Sequence, residues 1–376
     1  MDDAALSDAY RSAVARVGAA ALAALEGMEV AERQLHPPQI PRLRELLAVP
    51  RDRLEAALEA YAAIAPDDAL LRSFHDRLAQ GAGEALGALA LFVDPGAPHE
   101  ATTRVLGSLA RYRRAQATLY PLRAVLPALG HYFVEPAVRE RALGFDPEPP
   151  AGLRVGVMEA PAAQGDRGGF SLYVPEWCDG TTPWPLVVAL HGGSGHGRDF
   201  LWSWLREARS RGFLLLAPTS LGSTWSLDAP GIDAPRLASM VEFVAQRWPV
   251  DRARILLTGL SDGATFTLLA GLLEGAPYSA LAPVSGVLHP ANLGNGNLGR
   301  ARGRRIHLSH GALDWLFPIA LARLARDELE RAGADLVYRE IEDLSHTYPR
   351  DENDAMLTWF DPALALRGPR RAGGRR

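Results

Sequence analysis

The chain has little cysteine, no long hydrophobic run and no large excess of charge. Its one cysteine, Cys178, excludes an internal disulfide and is typical of a reducing compartment. The longest apolar stretches are alanine-rich and interrupted, short of the roughly 20 residues of a membrane span. No basic segment followed by an apolar core begins the sequence, so no secretory signal is expected. The net charge of −4 gives no reason to expect nucleic acid or an acidic membrane as partner. These absences predict a cytoplasmic, soluble protein.

What the sequence does contain indicates two domains. A chain of 376 residues, 48 % of them hydrophobic, is long enough for two cores. Tryptophan is missing until Trp177, whereas the preceding part is rich in Ala, Leu and Arg. Together with the proline-rich run Asp146–Pro150, this change of composition predicts a boundary near 145–151. We therefore expect a helical domain of unknown role over 1–145 and a second domain over 152–362. The basic end, 363–376, is expected to be disordered.

The first region shows the period of amphipathic helices. Two apolar stripes at helical spacing, with Pro-rich and Asp-rich breaks between segments, predict five or six helices. The stripes are formed by Val14, Val17, Ala21, Leu25 and Met28, and by Leu54, Leu58 and Tyr61. Acidic residues and histidines here, such as Glu32 and His75, form no pair of Glu-x-x-His motifs, so solvated helix faces are favoured over a metal site.

From Gly152 onward, short apolar runs alternate with helical patterns. Such alternation predicts an α/β domain with a mostly parallel sheet flanked by helices. The predicted strands are 153–159, 170–174, 185–190, 213–218, 255–257, 279–285, 306–309 and 336–341. Helices are expected around 199–211, 237–248, 318–332 and 352–360, with another beginning at Asp262. Ligands of such sheets bind at the carboxyl ends of the strands.

The most informative stretch is Gly259-Leu-Ser-Asp-Gly263, a G-x-S-x-G arrangement between a predicted strand and a predicted helix. The two glycines allow a sharp turn, which would present the Ser261 hydroxyl at the positive end of the helix. An ordinary strand–helix turn with a capping Ser or Asp is the alternative.

A serine hydroxyl needs a base to take its proton, and the base needs a carboxylate to orient it. Both types of residue follow Ser261 at later strand ends. Asp314 lies in the loop after the strand 306–309, and His346 lies in the loop after the strand 336–341. The order Ser, Asp, His is the order that α/β-hydrolase sheets use. We expect these three residues to be catalytic.

Each assignment has a structural alternative. Asp314 could cap a turn, and His346 could be an exposed loop residue. Asp343 is a rival acid, but it lies only three residues before His346, so the same short loop would have to fold back. His307 and His310 are favoured as structural residues.

An oxyanion hole needs donors aimed at the charge that develops in the transition state. The first expected donor is the backbone N–H of Asp262, and the second is the N–H of Gly193 in the loop His191-Gly-Gly-Ser-Gly195. Ser194 is the neighbouring substrate contact, and His191 is expected to brace the loop. This glycine run lacks the G-K-[ST] ending of a phosphate-binding loop.

These motifs resemble the phospholipase/carboxylesterase branch of the α/β-hydrolases, and related polyhydroxyalkanoate-depolymerase-like and feruloyl-esterase-like hydrolases. The resemblance covers about 185–360, and the segments that carry it are 190–193, 222–226, 259–264, 309–314 and His346. It implies a serine hydrolase that cleaves carboxylic esters or thioesters without a cofactor or metal. By that likeness Ser261 is the nucleophile, Asp314 the acid and His346 the base. One departure concerns the base: the family often has glycine directly before the histidine, and this chain has Ser345.

Two tryptophans are candidates for the substrate pocket: Trp225, which follows the strand 213–218, and Trp315, which is beside Asp314. Core packing is the alternative for Trp315. A small-molecule ester is the expected partner. A non-catalytic binding protein with the same fold, or a peptidase with the same three residues, remains an alternative. The acyl group, the alcohol and the oligomeric state do not follow from the sequence.

Overall fold

The computed structural model describes residues 8–160 and 167–366 and divides the chain into two compact units between Val134 and Glu135. The predicted boundary lies later, near 145–151. A buried arginine, Arg209, explains the difference: it donates to Phe145 O and to Asp146 Oδ2. Phe145 and Asp146 are thereby joined to the second unit, which begins at Glu135. Most of the predicted basic tail, 367–376, lies outside the described residues.

The first unit consists of helices, as predicted. They are α1 (Asp8–Arg33), α2 (Ile40–Ala62), α3 (Ala69–Val93), α4 (Ala101–Leu119) and α5 (Pro127–Tyr132), with short 3-10 turns between some of them. The predicted stripes face the interior, since Val17, Leu25 and Tyr61 are fully buried. Burial of one apolar face explains why these amphipathic segments form helices.

Polar side chains also lie inside this unit. Glu32 of α1 pairs with Arg113 of α4, and both side chains are buried. His75 of α3 is buried and stacks on Tyr61, with 4.0 Å between ring centroids. The prediction of solvated helix faces is therefore wrong for Glu32 and His75. Local spacing does not reveal these partners, because Arg113 is 81 positions from Glu32 and Tyr61 is 14 positions from His75.

The second unit is built on a sheet of eight strands in the described part of the chain. Its strands are β1 (Gly156–Ala160), β2 (Phe170–Val174), β3 (Trp184–Leu190), β4 (Leu214–Pro218), β5 (Val250–Leu260), β6 (Ala280–Val284), β7 (Arg305–Gly311) and β8 (Asp335–Ile341). Their order is β1-β2-β4-β3-β5-β6-β7-β8, with β2 antiparallel to both its neighbours and β3 to β8 parallel. This arrangement is the α/β-hydrolase fold that the sequence predicted.

The central strands β3, β4 and β6 form because their sequences are apolar on both faces, as a sheet covered by helices requires. All residues of β3, β4 and β6 are buried. The helices of this unit are α6 (Gly197–Phe200), α7 (Leu205–Arg211), α8 (Asp233–Ala245), α9 (Asp262–Gly271), α10 (Pro290–Gly294), α11 (Ile319–Arg331) and α12 (Asn353–Phe360). The helix predicted around 199–211 is divided into α6 and α7 by a 3-10 turn.

The ends of the parallel strands position the candidate site. Strands β3, β5, β7 and β8 end next to the loops that contain Gly193, Ser261, Asp314 and His346. These loops meet because the carboxyl ends of parallel strands share one edge of the sheet. Within the described residues, no helix is both long and apolar enough to cross a membrane.

Candidate active site

The turn between β5 and α9 depends on both of its glycines. A Cβ on Gly259 would lie 2.5 Å from backbone atoms of Gly263, and a Cβ on Gly263 would lie 2.4 Å from His191 O. Real Cβ atoms do not approach backbone this closely, so a side chain at either position would push strand and helix apart. The predicted reason for the G-x-S-x-G pattern is thus confirmed: it permits a close packing of backbones.

The geometry of this turn presents Ser261 to the site. Ser261 has φ 57° and ψ −120°, a conformation that non-glycine residues rarely adopt. Its N–H donates to Val284 O at 3.0 Å, and its carbonyl accepts the first helical bond from Thr265 at 2.9 Å. Since strained backbone persists only where its surroundings enforce it, the site is a candidate for function.

The structure brings together the three residues that the sequence selected. His346 Nε2 lies 2.9 Å from Ser261 Oγ, and His346 Nδ1 lies 2.7 Å from Asp314 Oδ2. With the proton on Nδ1, the imidazole donates to the carboxylate and accepts from the hydroxyl. The side chain of Asp314 is fully buried and that of His346 nearly so. This geometry is suited to removing a proton from Ser261.

Asp314 is held on its other oxygen as well. The backbone N–H groups of Leu316 and Phe317 donate to Oδ1 at 3.0 and 2.8 Å. A buried polar oxygen is costly unless it is hydrogen-bonded, and these two donors satisfy it. The rival acid, Asp343, is exposed, and His346 Nδ1 is directed at Asp314.

The loop before His346 packs closely against Gly311 at the end of β7. A Cβ on Gly311 would lie 2.3 Å from Leu344 O. Leu313 N–H donates to the same oxygen at 2.9 Å, so the acid loop and the base loop are joined directly. Ser345, where the family often has glycine, has no positive φ, so a non-glycine residue is accommodated there.

Both predicted oxyanion donors lie beside Ser261. An ideal Cβ on Gly192 would be 3.4 Å from Ser261 Cβ, which shows how closely the glycine loop approaches the turn. In the part of the chain that the structure describes, the N–H groups of Gly193 and Asp262 donate to no protein acceptor. The N–H of Ser194 is already bonded to Ser223 O at 2.8 Å. Gly193 and Asp262 thus keep their donors available for a ligand.

The side chain of Asp262 has a partner that sequence reasoning missed. Thr224 Oγ1 donates to Asp262 Oδ2 at 2.6 Å, and the same oxygen would lie 2.8 Å from a Cβ on Gly193. A carboxylate is therefore held next to the two candidate oxyanion donors. Thr224 falls within the segment 222–226 that resembles the family, which was the only signal for it.

His191 braces the glycine loop, as expected. Ser220 N–H donates to its Nε2 at 3.1 Å, so Nδ1 carries the proton and donates to Gly192 O at 2.7 Å. Burial lowers the pKa of His191 to about 4. A second brace, Arg167, was not foreseen: its guanidinium donates to Gly195 O and Gly222 O and so links the loops after β3 and β4.

The two tryptophans have opposite environments. Trp225 is buried: its ring stacks on Phe266, and its Nε1–H donates to His191 O at 2.8 Å. Its predicted place in the substrate pocket therefore needs correction, because both ring and donor are engaged in the core. Trp315 is 56 % exposed beside Asp314, so core packing does not describe it. Its contact with substrate stays a prediction.

The remaining histidines of β7 are buried. Burial lowers the pKa of His307 to about 4, and His307 Nδ1 lies 3.2 Å from Ser309 Oγ. His310 Nε2 lies 3.3 Å from Asp314 Oδ2. Within the described residues, no group of three His, Cys, Asp or Glu side chains is arranged to hold a metal ion.

Comparison with known proteins agrees with the motif analysis. Residues 235–361 match the model of a family described as Phospholipase/Carboxylesterase. This segment contains Ser261, Asp314 and His346, and over it the family resemblance seen in the sequence is confirmed. No curated protein matches the chain.

Solved structures that resemble the chain include several esterases. A thermostable esterase is 19 % identical, with 55 % of this chain and 62 % of that chain covered and a TM-score of 0.44. An acetyl xylan esterase from Aspergillus awamori is 18 % identical, with 55 % of this chain and 98 % of that chain covered and a TM-score of 0.44. Acyl-protein thioesterase 2 of Zea mays is 17 % identical, with 53 % of this chain and 100 % of that chain covered and a TM-score of 0.40. At such identities these structures assign no substrate to this chain.

Proposed function

We propose that the protein is a serine hydrolase that cleaves carboxylic esters or thioesters through an acyl-enzyme. One observation carries the proposal: a continuous hydrogen-bonded chain runs from Asp314 through His346 to Ser261, at 2.7 and 2.9 Å. The strained turn at Ser261 and the free donors beside it support the same conclusion.

In the first step, Ser261 Oγ attacks the carbonyl carbon of the substrate while His346 Nε2 takes the hydroxyl proton. The carbonyl π electrons move to oxygen, and the N–H groups of Gly193 and Asp262 bind the resulting oxyanion. Asp314 stabilises the imidazolium that forms. When the tetrahedral intermediate collapses, the bond to the alcohol or thiol breaks, and His346 returns the proton to the leaving group.

A water molecule then repeats the sequence on the acyl-enzyme. It gives a proton to His346, its oxygen attacks the acyl carbon, and Ser261 is released as the protonated hydroxyl. The products are a carboxylic acid and an alcohol or thiol. This cycle needs no cofactor or metal. Ser194 and the exposed Trp315 are the proposed contacts for the substrate's acyl or leaving group.

A fluorophosphonate probe tests the proposal, because it reacts with an activated serine irrespective of the natural substrate. The parent protein should be labelled at Ser261, and Ser261→Ala should not be labelled. Hydrolysis of p-nitrophenyl esters and acyl thioesters of increasing length then defines the acyl group. A folded parent protein that is neither labelled nor active on any ester would point instead to a binding protein. Cleavage of peptides in preference to esters would indicate a peptidase.

A further inference from the structure

One histidine next to the site has no role in the mechanism above. His310 lies on β7, four residues before Asp314, and it is fully buried. Its Nε2 lies 2.7 Å from Phe317 O and 3.3 Å from Asp314 Oδ2. A structural role is the expectation from the sequence, but this position touches the loop that holds the acid.

Phe317, the residue that accepts from His310, contacts both the acid and the base. Its N–H donates to Asp314 Oδ1 at 2.8 Å. Its ring meets the imidazole of His346 edge-on, with 5.3 Å between centroids and 86° between planes. A shift of Phe317 would therefore move the carboxylate and the imidazole together.

We propose that His310 is a positioning residue: its Nε2–H, bonded to Phe317 O, holds the acid loop so that Asp314 Oδ2 meets His346 Nδ1. This inference rests on the proposed function. His310 touches neither Ser261 nor the expected place of the substrate, so it acts through Phe317 and Asp314 alone.

The charge state of His310 fits this role. Burial lowers its pKa, and in the described part of the chain its Nδ1 is buried with no partner. A second proton on Nδ1 would therefore be an unmatched buried donor, which is costly. A neutral imidazole gives Phe317 its donor without placing a cation beside Asp314. Asp314 then faces only one cation, the imidazolium that forms on His346 in the transition state.

Two substitutions of His310 by neutral amides distinguish a positioning role from simple structural support. In His310→Gln the amide nitrogen can take the place of Nε2 and reach Phe317 O, whereas in His310→Asn it ends near the position of Nδ1. We expect His310→Asn to lower kcat about 10- to 100-fold with KM nearly unchanged, since small misplacements of catalytic groups have effects of this size. His310→Gln should recover most of the loss.

His307 provides a matched control on the same strand. It is also buried, it bonds to Ser309 Oγ and its ring lies against Trp359, and among the described residues no hydrogen bond, ion pair or ring contact joins it to Asp314, Phe317 or His346. His307→Gln loses that bond and should keep the parent kcat, even if its melting temperature falls as much as that of His310→Asn. The far-downfield proton resonance of His346 Nδ1–H gives a second measurement: it should weaken or shift in His310→Asn only.

The outcomes are distinct. Equal kcat in His310→Asn and the parent, or equal losses in His310→Asn and His307→Gln, would overturn the role of His310. The same holds for a kcat in His310→Gln as low as in His310→Asn. If His310→Asn does not fold, His310→Leu, which also lacks the Nε2–H donor, takes its place: a loss of kcat that His307→Gln does not show supports the proposal, and a parent-like kcat overturns it. Failure of the proposed function is recognised separately, because the parent itself would then resist fluorophosphonate labelling.

Discussion

The hydroxyl of Thr224 donates to Asp262 Oδ2 at 2.6 Å, and this bond ties the loop after β4 to the residue that follows Ser261. The bond holds a carboxylate beside the N–H groups of Gly193 and Asp262, where the proposed reaction develops negative charge. The negative carboxylate and a neighbouring oxyanion repel each other. We infer that Thr224 fixes the carboxylate in an orientation that leaves the two N–H groups open to the oxyanion.

The first prediction concerns this bond. Thr224→Val keeps the shape of the side chain and removes the donor, so the carboxylate becomes free to turn toward the oxyanion. We expect kcat for p-nitrophenyl esters to fall about tenfold, less than the roughly 10²- to 10³-fold loss when an oxyanion donor itself is removed. The double variant Thr224→Val, Asp262→Asn should lose less than Thr224→Val alone, because the displaced group is then uncharged.

Thr182 provides a matched control. Its hydroxyl donates to Asp179 Oδ2, also at 2.6 Å, but in a surface turn after β2. Thr182→Val should leave kcat at the parent value. An unchanged kcat in Thr224→Val as well would show that Thr224 does not orient Asp262 for the reaction.

The second prediction concerns the close packing at Gly263. A Cβ there would lie 2.4 Å from His191 O and 2.5 Å from Leu190 O, and backbone atoms cannot yield as a flexible side chain can. Overpacking of a core costs about 1–3 kcal/mol, and Gly263→Ala should lower the free energy of unfolding by at least this amount. Gly231→Ala is the control, because nothing lies within 4 Å of a Cβ at that position. Denaturant titration of both variants checks the difference, and equal midpoints would contradict it.

Local patterns were sufficient to predict much of the fold. The strands β3, β4 and β6 were recognisable because they are buried on both faces and therefore read as continuous apolar runs. The carboxyl ends of β5, β7 and β8 lie on one edge of the sheet, which placed Ser261, Asp314 and His346 near one another. The same reasoning foresaw the glycines at 259 and 263, because a sharp strand–helix turn requires them.

Features that depend on distant partners could not be predicted in this way. Thr224 and Asp262 are 38 positions apart, and Trp225 is buried because its indole N–H meets His191 O, 34 positions earlier. No local pattern distinguishes a buried tryptophan from one that lines a pocket. Likewise, Gly311 must be glycine because its missing side chain would lie 2.3 Å from Leu344 O on a loop 33 positions later.

The third prediction uses the backbone strain at Ser261. With φ 57°, this residue occupies a region that favours glycine, and such strain costs about 1–3 kcal/mol. Ser261→Gly should therefore be more stable to unfolding than Ser261→Ala, although both variants are inactive. Ser239 in the exposed part of α8 should show the opposite order, since glycine in a helix costs about 1 kcal/mol relative to alanine. Ser261→Ala as the more stable variant would indicate that the surroundings do not strain the turn.

The fourth prediction is a loss of stability in acid. Burial lowers the pKa of His191 to about 4, below its ordinary value of 6.5. Between these values the unfolded chain binds a proton that the folded chain does not, so the free energy of unfolding falls as the pH decreases from about 6.5 to about 4. Protonation would also remove the acceptor that Ser220 N–H uses and loosen the glycine loop.

His191→Gln cannot be protonated in this range, so its stability should depend less on pH than that of the parent. His196→Gln is the control, because His196 is only half-buried and accepts from Arg198 N at the start of α6. Denaturant midpoints measured at intervals from pH 7 to pH 4 give the slope for each protein. A parent whose stability is constant across this range would contradict the account of His191 as a neutral brace. So would a slope in His191→Gln equal to that of the parent, because the acid sensitivity would then come from other groups.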